Sequence, residues 1–185
     1  MRKTFFILGL SVFAACNSGT DTKVESMSAK DSTASPASDV VLPYTADYSS
    51  KFEMGDMKNV QTVLELYKDW DNNNLDNSRS KFADTVTLIF SDGSRMKGSF
   101  DSINNATKPY RNSLGTVTSS VHAILPVKST DKNENWVLAW FTEHRTDAKG
   151  KQDSVELQET WRINKDGKAD LLYQYKQQNP GPPKK

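Results

Sequence analysis

The chain has 185 residues, 24 basic against 23 acidic side chains, 36% hydrophobic residues and a single cysteine. Its charge is nearly balanced and its Lys and Arg are scattered. Both facts point away from a nucleic-acid surface, because that affinity comes mostly from cations that neutralise phosphates. One cysteine allows no disulfide within the chain, so the fold rests on its apolar core.

Arg2 and Lys3 precede an apolar run from Phe5 to Ala15, and Cys16 closes it. A charged start, a short apolar stretch and small residues at its end make the layout of a secretory signal. The run is shorter than the roughly 20 residues that span a bilayer as a helix. Phe13-Ala14-Ala15-Cys16 resembles a bacterial lipobox, whose cysteine is acylated and becomes the new N-terminus. The resemblance implies a signal peptide over residues 1–15 and a lipid anchor on Cys16. Each buried CH₂ of such an anchor contributes about 0.8 kcal/mol. The plainer alternative is an ordinary free thiol, buried or at the surface. Asn17, where an Asp would signal inner-membrane retention, implies the outer membrane, with the domain facing the periplasm or the cell surface. Loss of Arg2 and Lys3 with the signal leaves 22 of the 24 basic side chains against 23 acidic ones.

Residues up to 46 are rich in Ser, Thr, Ala, Asp and Lys, with Pro36 and Pro43 among them. Such a segment buries too little apolar surface to offset its ordering entropy. Residues 16–46 are expected to be the lipidated cysteine and a disordered tether. Asn179 to Lys185, with three prolines, reads as a disordered tail. Residues 47–178 remain, enough for one domain with a single core.

Within that domain Asp56 can cap a helix that runs to about Asn72, with Met57, Val60, Val63, Leu64, Tyr67 and Trp70 as its apolar stripe. Asn72-Asn73-Asn74 breaks it, and Leu75 to Phe82 reads as a short second helix. Thr85 to Ser91 has the alternation of a strand, Asp92-Gly93 marks a hairpin, and Arg95-Met96-Lys97 is the return. Ser99 starts a third helix, which Pro109 should kink or end early. After Gly115 the period becomes two. Residues 116–127, 135–146, 152–164 and 169–176 read as four strands joined by short turns, an antiparallel meander. Helices followed by a meander make an α+β fold in which the helices cover one sheet face. A strongly curved sheet would leave a cavity between the layers.

This order resembles the nuclear-transport-factor-2-like (NTF2-like) superfamily, in particular its SnoaL-like branch, over about residues 54–178. The matching patterns are Lys81-Phe82-Ala83-Asp84 before a strand, Gly93 to Gly98 followed by Ile103, and Trp161-Arg162-Ile163-Asn164 with Gly167-Lys168 at the last turn. The resemblance implies a cone of N-terminal helices on a curved antiparallel sheet, with an internal cavity. It also implies a possible homodimer through the outer sheet face. Members include isomerases, cyclases, dehydratases and binding modules, so the fold does not fix the function. In the ketosteroid isomerase-like branch a Tyr on the first helix and an acid on the penultimate strand bind an oxyanion, and a third acid moves the proton. Tyr67 and Glu159 match the first two positions and are the catalytic candidates. Phe90 occupies the third, so the general base is missing; Asp71, Asp92 and His122 are the available substitutes.

Glu159 shares a strand face with Val155, Leu157, Trp161 and Ile163. A carboxylate among apolar neighbours must be paired, wet or protonated. It is either a ligand-facing acid or a structural one hydrogen-bonded to Tyr67. Trp136, Trp140 and His144 form an aromatic stripe on the preceding strand, which lines the cavity or forms the outer face. The ligand-contacting candidates are Tyr67, Trp70, Phe90, His122, Trp140, Glu159 and Trp161. His122 and His144 lack a third group at metal-ligand spacing, so neither a metal nor a cofactor is expected. No Gly-rich phosphate loop or nucleophile elbow is present. The expected function is a lipid-anchored domain that binds a small apolar or amphipathic molecule without catalysis. The alternatives are a SnoaL-like isomerase, cyclase or hydrolase, and a module that docks an envelope partner.

Overall fold

The computed structural model describes residues 43–177. The signal-like segment, Cys16, most of the expected tether and the tail lie outside them. Helix α1 (Met57–Asp71) starts where Asp56 accepts a hydrogen bond from the Lys58 N–H at 2.8 Å. Its buried face is Val60, Val63, Leu66 and Tyr67, while Met57 and Leu64 are exposed. A 3₁₀ turn, Leu75–Lys81, follows. Helix α2 (Phe100–Ser113) is capped by Ser99 and runs through Pro109 without ending. Pro109 and Asn105 are both exposed, so the carbonyl that loses its partner faces water.

Seven strands form one sheet: β1 (Phe52–Met54), β2 (Phe82–Ile89), β3 (Arg95–Ser99), β4 (Thr116–Ser129), β5 (Glu134–Thr146), β6 (Gln152–Ile163) and β7 (Ala169–Lys176). Their spatial order is β1-β4-β5-β6-β7-β2-β3. The expected meander is β4 to β7, antiparallel throughout. The β2–β3 hairpin joins it through a parallel pairing of β2 with β7. Strand β1, too short to show a period, pairs with the far end of β4.

The core sits between the helices and the inner sheet face, from Val60 to Leu172 along the chain. Residues 47–185 therefore carry it whole. On β5 the inward residues are Val137, Ala139 and Phe141, and on β6 they are Val155, Leu157, Glu159, Trp161 and Ile163. The stripe Trp136, Trp140, His144 lies on the other face. Trp136 is covered there by Tyr48 and the Arg162 guanidinium, whereas Trp140 is 38% exposed.

Candidate functional site

A cavity of about 180 Å³ lies between the two helices and the concave sheet face. Helix α1 contributes Leu66, Tyr67 and Trp70, and α2 contributes Phe100, Ile103, Asn104, Thr107 and Tyr110. Phe90 and Leu88 close the β2 side, Trp161 and Leu157 the β6 side, and Phe141 the floor. The Tyr67 and Phe141 rings pack at 4.6 Å between centroids. The wall is mostly apolar, with a few polar groups on it, as small-molecule sites are.

Two carboxylates stand out on that wall. Glu159 is 4% exposed and accepts three hydrogen bonds. The Tyr67 hydroxyl and Trp161 Nε1 donate to its Oε2, each at 2.8 Å, and Gln174 Nε2 donates to its Oε1 at 2.7 Å. Burial pushes the carboxyl above its ordinary value, the three hydrogen bonds pull it back, and nearby Glu143 adds to the rise. Burial, and then the Glu159 charge, push the Tyr67 phenol well above its own ordinary value. Two of the three donors to Glu159, an indole and an amide N–H, can only donate, which suits the ionised form.

Glu143 is the second buried acid of the cavity. It accepts from Trp70 Nε1 at 2.6 Å and pairs with Arg145, whose Nε and Nη2 lie 2.6 and 2.5 Å from its Oε1. Burial lowers the Arg145 guanidinium, but Glu143 outweighs it and leaves it raised. Glu143 shares the inner face of β5 with Val137, Ala139 and Phe141. That is the same sign that singles out Glu159, and it is masked in the sequence by the aromatic stripe on the opposite face.

Arg111, 1% exposed, holds the α1 end of the site in place. Its guanidinium donates to the carbonyls of Trp70 (2.6 Å), Asp71 (2.9 Å) and Gly115 (2.9 Å), and it lies 5.7 Å from the Trp70 ring centre. The Asp71 carbonyl at the helix end and the Gly115 carbonyl are thereby met, and the Trp70 carbonyl, which also accepts from the Asn73 N–H at 3.0 Å, gains a second donor. Nothing in the sequence spacing singles this residue out.

Of the seven expected contact residues, Tyr67, Trp70, Phe90, Glu159 and Trp161 line the cavity. His122 and Trp140 do not. His122 lies on the outer face, continuing the alternation in which Thr118 and Ser120 pair with His144 and Thr142, and its Nε2 lies 2.7 Å from Thr142 Oγ1. Trp140 falls on that face by the alternation of β5. The substitute bases are displaced as well. Asp92 is exposed in the hairpin turn and bound by Ser94. Asp71 is half-buried, its carboxylate gripped by the N–H and hydroxyl of Ser119 at 2.8 and 2.9 Å. Among the described residues no group of three or more His, Cys, Asp or Glu side chains could hold a metal.

No protein-family model matches the chain, and no curated protein matches it in sequence. Solved structures do match its fold. An NTF2-like protein of unknown function from Exiguobacterium sp. 255-15 aligns at a TM-score of 0.53 and 15% identity, over 64% of this chain and 99% of its own. The domain has the NTF2-like fold. A proposed polyketide cyclase from Xanthomonas campestris aligns at 0.50 and 15% identity, over 64% of this chain and 90% of its own. SalBIII, an epoxide hydrolase/cyclase-like enzyme of pyran ring formation in salinomycin, aligns at 0.52 and 15% identity, over 65% and 92%. The NTF2-like cone accounts for the cavity. In this chain, however, the Tyr67 hydroxyl points its proton at Glu159, so the pair forms a closed hydrogen bond and not two donors facing a substrate oxyanion.

Proposed function

We propose that this NTF2-like domain binds a small, largely apolar molecule in its cavity and does not transform it. The observation that carries this reading is the engagement of every buried acid on the wall. Glu159 is held by three donors, and both oxygens of Glu143 are occupied, by Trp70 and by Arg145. A general base must reach its substrate with a free lone pair near the operating pH. An acid paired with arginine is a poor one. The lipobox resemblance at Cys16 supports a membrane-tethered binding module.

Native mass spectrometry of residues 47–185, purified from cells, tests the binding reading. A co-purifying small molecule released on denaturation is the expected result. An empty protein that also gives no mass shift with small alkylbenzenes would refute it. The same spectrum reads the dimer proposed through the outer sheet face. Anchoring is tested separately: Cys16→Ser should move the full-length protein from the membrane to the soluble fraction, and unchanged partitioning rules the anchor out.

A second reading is favoured by the presence of two buried carboxylates in one cavity. It is a SnoaL-like isomerase, cyclase or hydrolase in which Glu143 is freed when a substrate displaces Arg145. Turnover of an epoxide or enolisable ketone that Glu143→Gln abolishes would establish it.

A further inference from the structure

Donors and acceptors are unevenly shared in the cavity. The Trp70 indole is engaged by Glu143, and the Tyr67 hydroxyl, the Trp161 indole and one of the two Gln174 N–H groups are engaged by Glu159. The Thr107 and Ser119 hydroxyls donate to helix carbonyls and to Asp71. The remaining lining hydroxyls are Ser78, which donates to Asp69, and Tyr110, which is 53% exposed.

Acceptors, by contrast, are in surplus. Asn104 is 5% exposed on the α2 wall. Its Nδ2 donates to Asp76 Oδ1 at 2.7 Å, and its Oδ1 is the one buried side-chain polar atom among the described residues that has no partner. Flipping the amide would set its oxygen against the Asp76 carboxylate, so the neighbour fixes which atom is left unmet. A buried acceptor without a donor is a costly feature that a bound donor removes. The same cavity is lined by Glu143 and Glu159. Arg145 neutralises the first, while the three partners of Glu159 are all uncharged donors. An anion entering the cavity therefore meets a buried negative charge and no free cation.

Resting on the binding reading above, we propose that the cavity selects an apolar ring or chain that carries a hydroxyl or amine donor and no negative charge, with the donor seated on Asn104 Oδ1. The size fits a substituted ring, since a cavity of about 150 Å³ admits benzene and this one holds about 180 Å³.

The test is calorimetric titration of residues 47–185 at pH 7 with three probes on one skeleton: 4-propylphenol, 4-propylanisole and 4-propylbenzoate. The phenol should bind about tenfold tighter than the ether, which corresponds to one good hydrogen bond. The benzoate should bind weakest. Asn104→Leu should abolish the preference, so that phenol and ether bind alike. Equal binding of phenol and ether, or a preference for the benzoate, overturns the donor inference and leaves the binding reading intact. A phenol preference that survives Asn104→Leu overturns the seat at Asn104. Failure of all three probes overturns the binding reading and this inference with it. Should Asn104→Leu not fold, the three-probe comparison on the native protein still decides.

Discussion

Tyr67→Phe removes one hydroxyl from the cavity wall and leaves the ring that packs on Phe141. The lost oxygen lies 2.8 Å from Glu159 Oε2, and both side chains are buried. A hydrogen bond to an ionised group contributes about 1.5–3 kcal/mol, and one to a neutral group about 0.5–1.5 kcal/mol. At pH 7.5 the substitution should therefore destabilise the native protein by about 2 kcal/mol. In a Glu159→Gln background the same change should cost about 1 kcal/mol, giving a coupling of about 1 kcal/mol between the two residues. Urea unfolding of all four proteins reads this directly. With a slope of about 2 kcal/mol/M, the midpoint of Tyr67→Phe should fall by about 1 M at unchanged slope. A shift below about 0.25 M, or equal losses in both backgrounds, would show that the pair is not the buried, charge-assisted contact described here.

Burial raises the Glu159 carboxyl, so the native protein keeps that proton to a higher pH than the unfolded chain does. The contribution of Glu159 to stability is thus full below its ordinary value of 4.5 and falls as pH rises through the folded value. The stability of the native protein relative to Glu159→Gln should decline over that range, and a flat difference in chemical unfolding would contradict the assignment. Arg111→Met takes the guanidinium donor from the carbonyls of Asp71 and Gly115, while that of Trp70 keeps the Asn73 N–H. Each unmet buried acceptor costs about 1–3 kcal/mol, so a loss of at least about 2 kcal/mol is expected, with Arg111→Lys recovering less than half of it. A loss under about 1 kcal/mol would mean that water replaces the guanidinium. Gly115 and Gly93 separate strain from space. Both have positive φ, but a Cβ at Gly115 would lie 2.2 Å from the Thr146 carbonyl oxygen, whereas nothing lies within 4 Å at Gly93. Thermal unfolding should show Gly93→Ala down by about 1 kcal/mol and Gly115→Ala by at least twice that, and equal losses would show that the backbone yields there.

Most of the fold is legible in the sequence because its periods are long and clean. Helix α1 and the strands β4 to β7 each repeat their apolar pattern over eight or more residues, and their bounds fall close to those expected. The exceptions have physical causes. Strand β1 has three residues, too few for a period, and belongs to the sheet only through β4. Pro109 is a helix breaker by composition, yet its exposed position lets water take the freed carbonyl. The site was half legible. Glu159 among alternating apolar residues announces itself, and Tyr67 falls on the right helix face. Glu143 carries the same signal, but the eye follows the tryptophans opposite it. The partners of Arg111 and Asn104 are set by chain crossings that no local pattern encodes. Which face His122 takes is hidden because a one-residue bulge beside it reverses the alternation of β4, so the inward residues are odd-numbered before it and even-numbered after it.

The parallel pairing of β2 with β7 also bears on time. The β2–β3 hairpin is made early in synthesis, yet the only other strand to which it bonds is the last one. Until residues 169–176 arrive, that hairpin has no place in the sheet, and the cavity stays open on the side of Leu88 and Phe90. Contacts so far apart in sequence form late and slowly. An N-terminal fragment should therefore stay open to proteases and chaperones. A chain of this design stays threadable until β7 emerges, because its sheet cannot be completed before then.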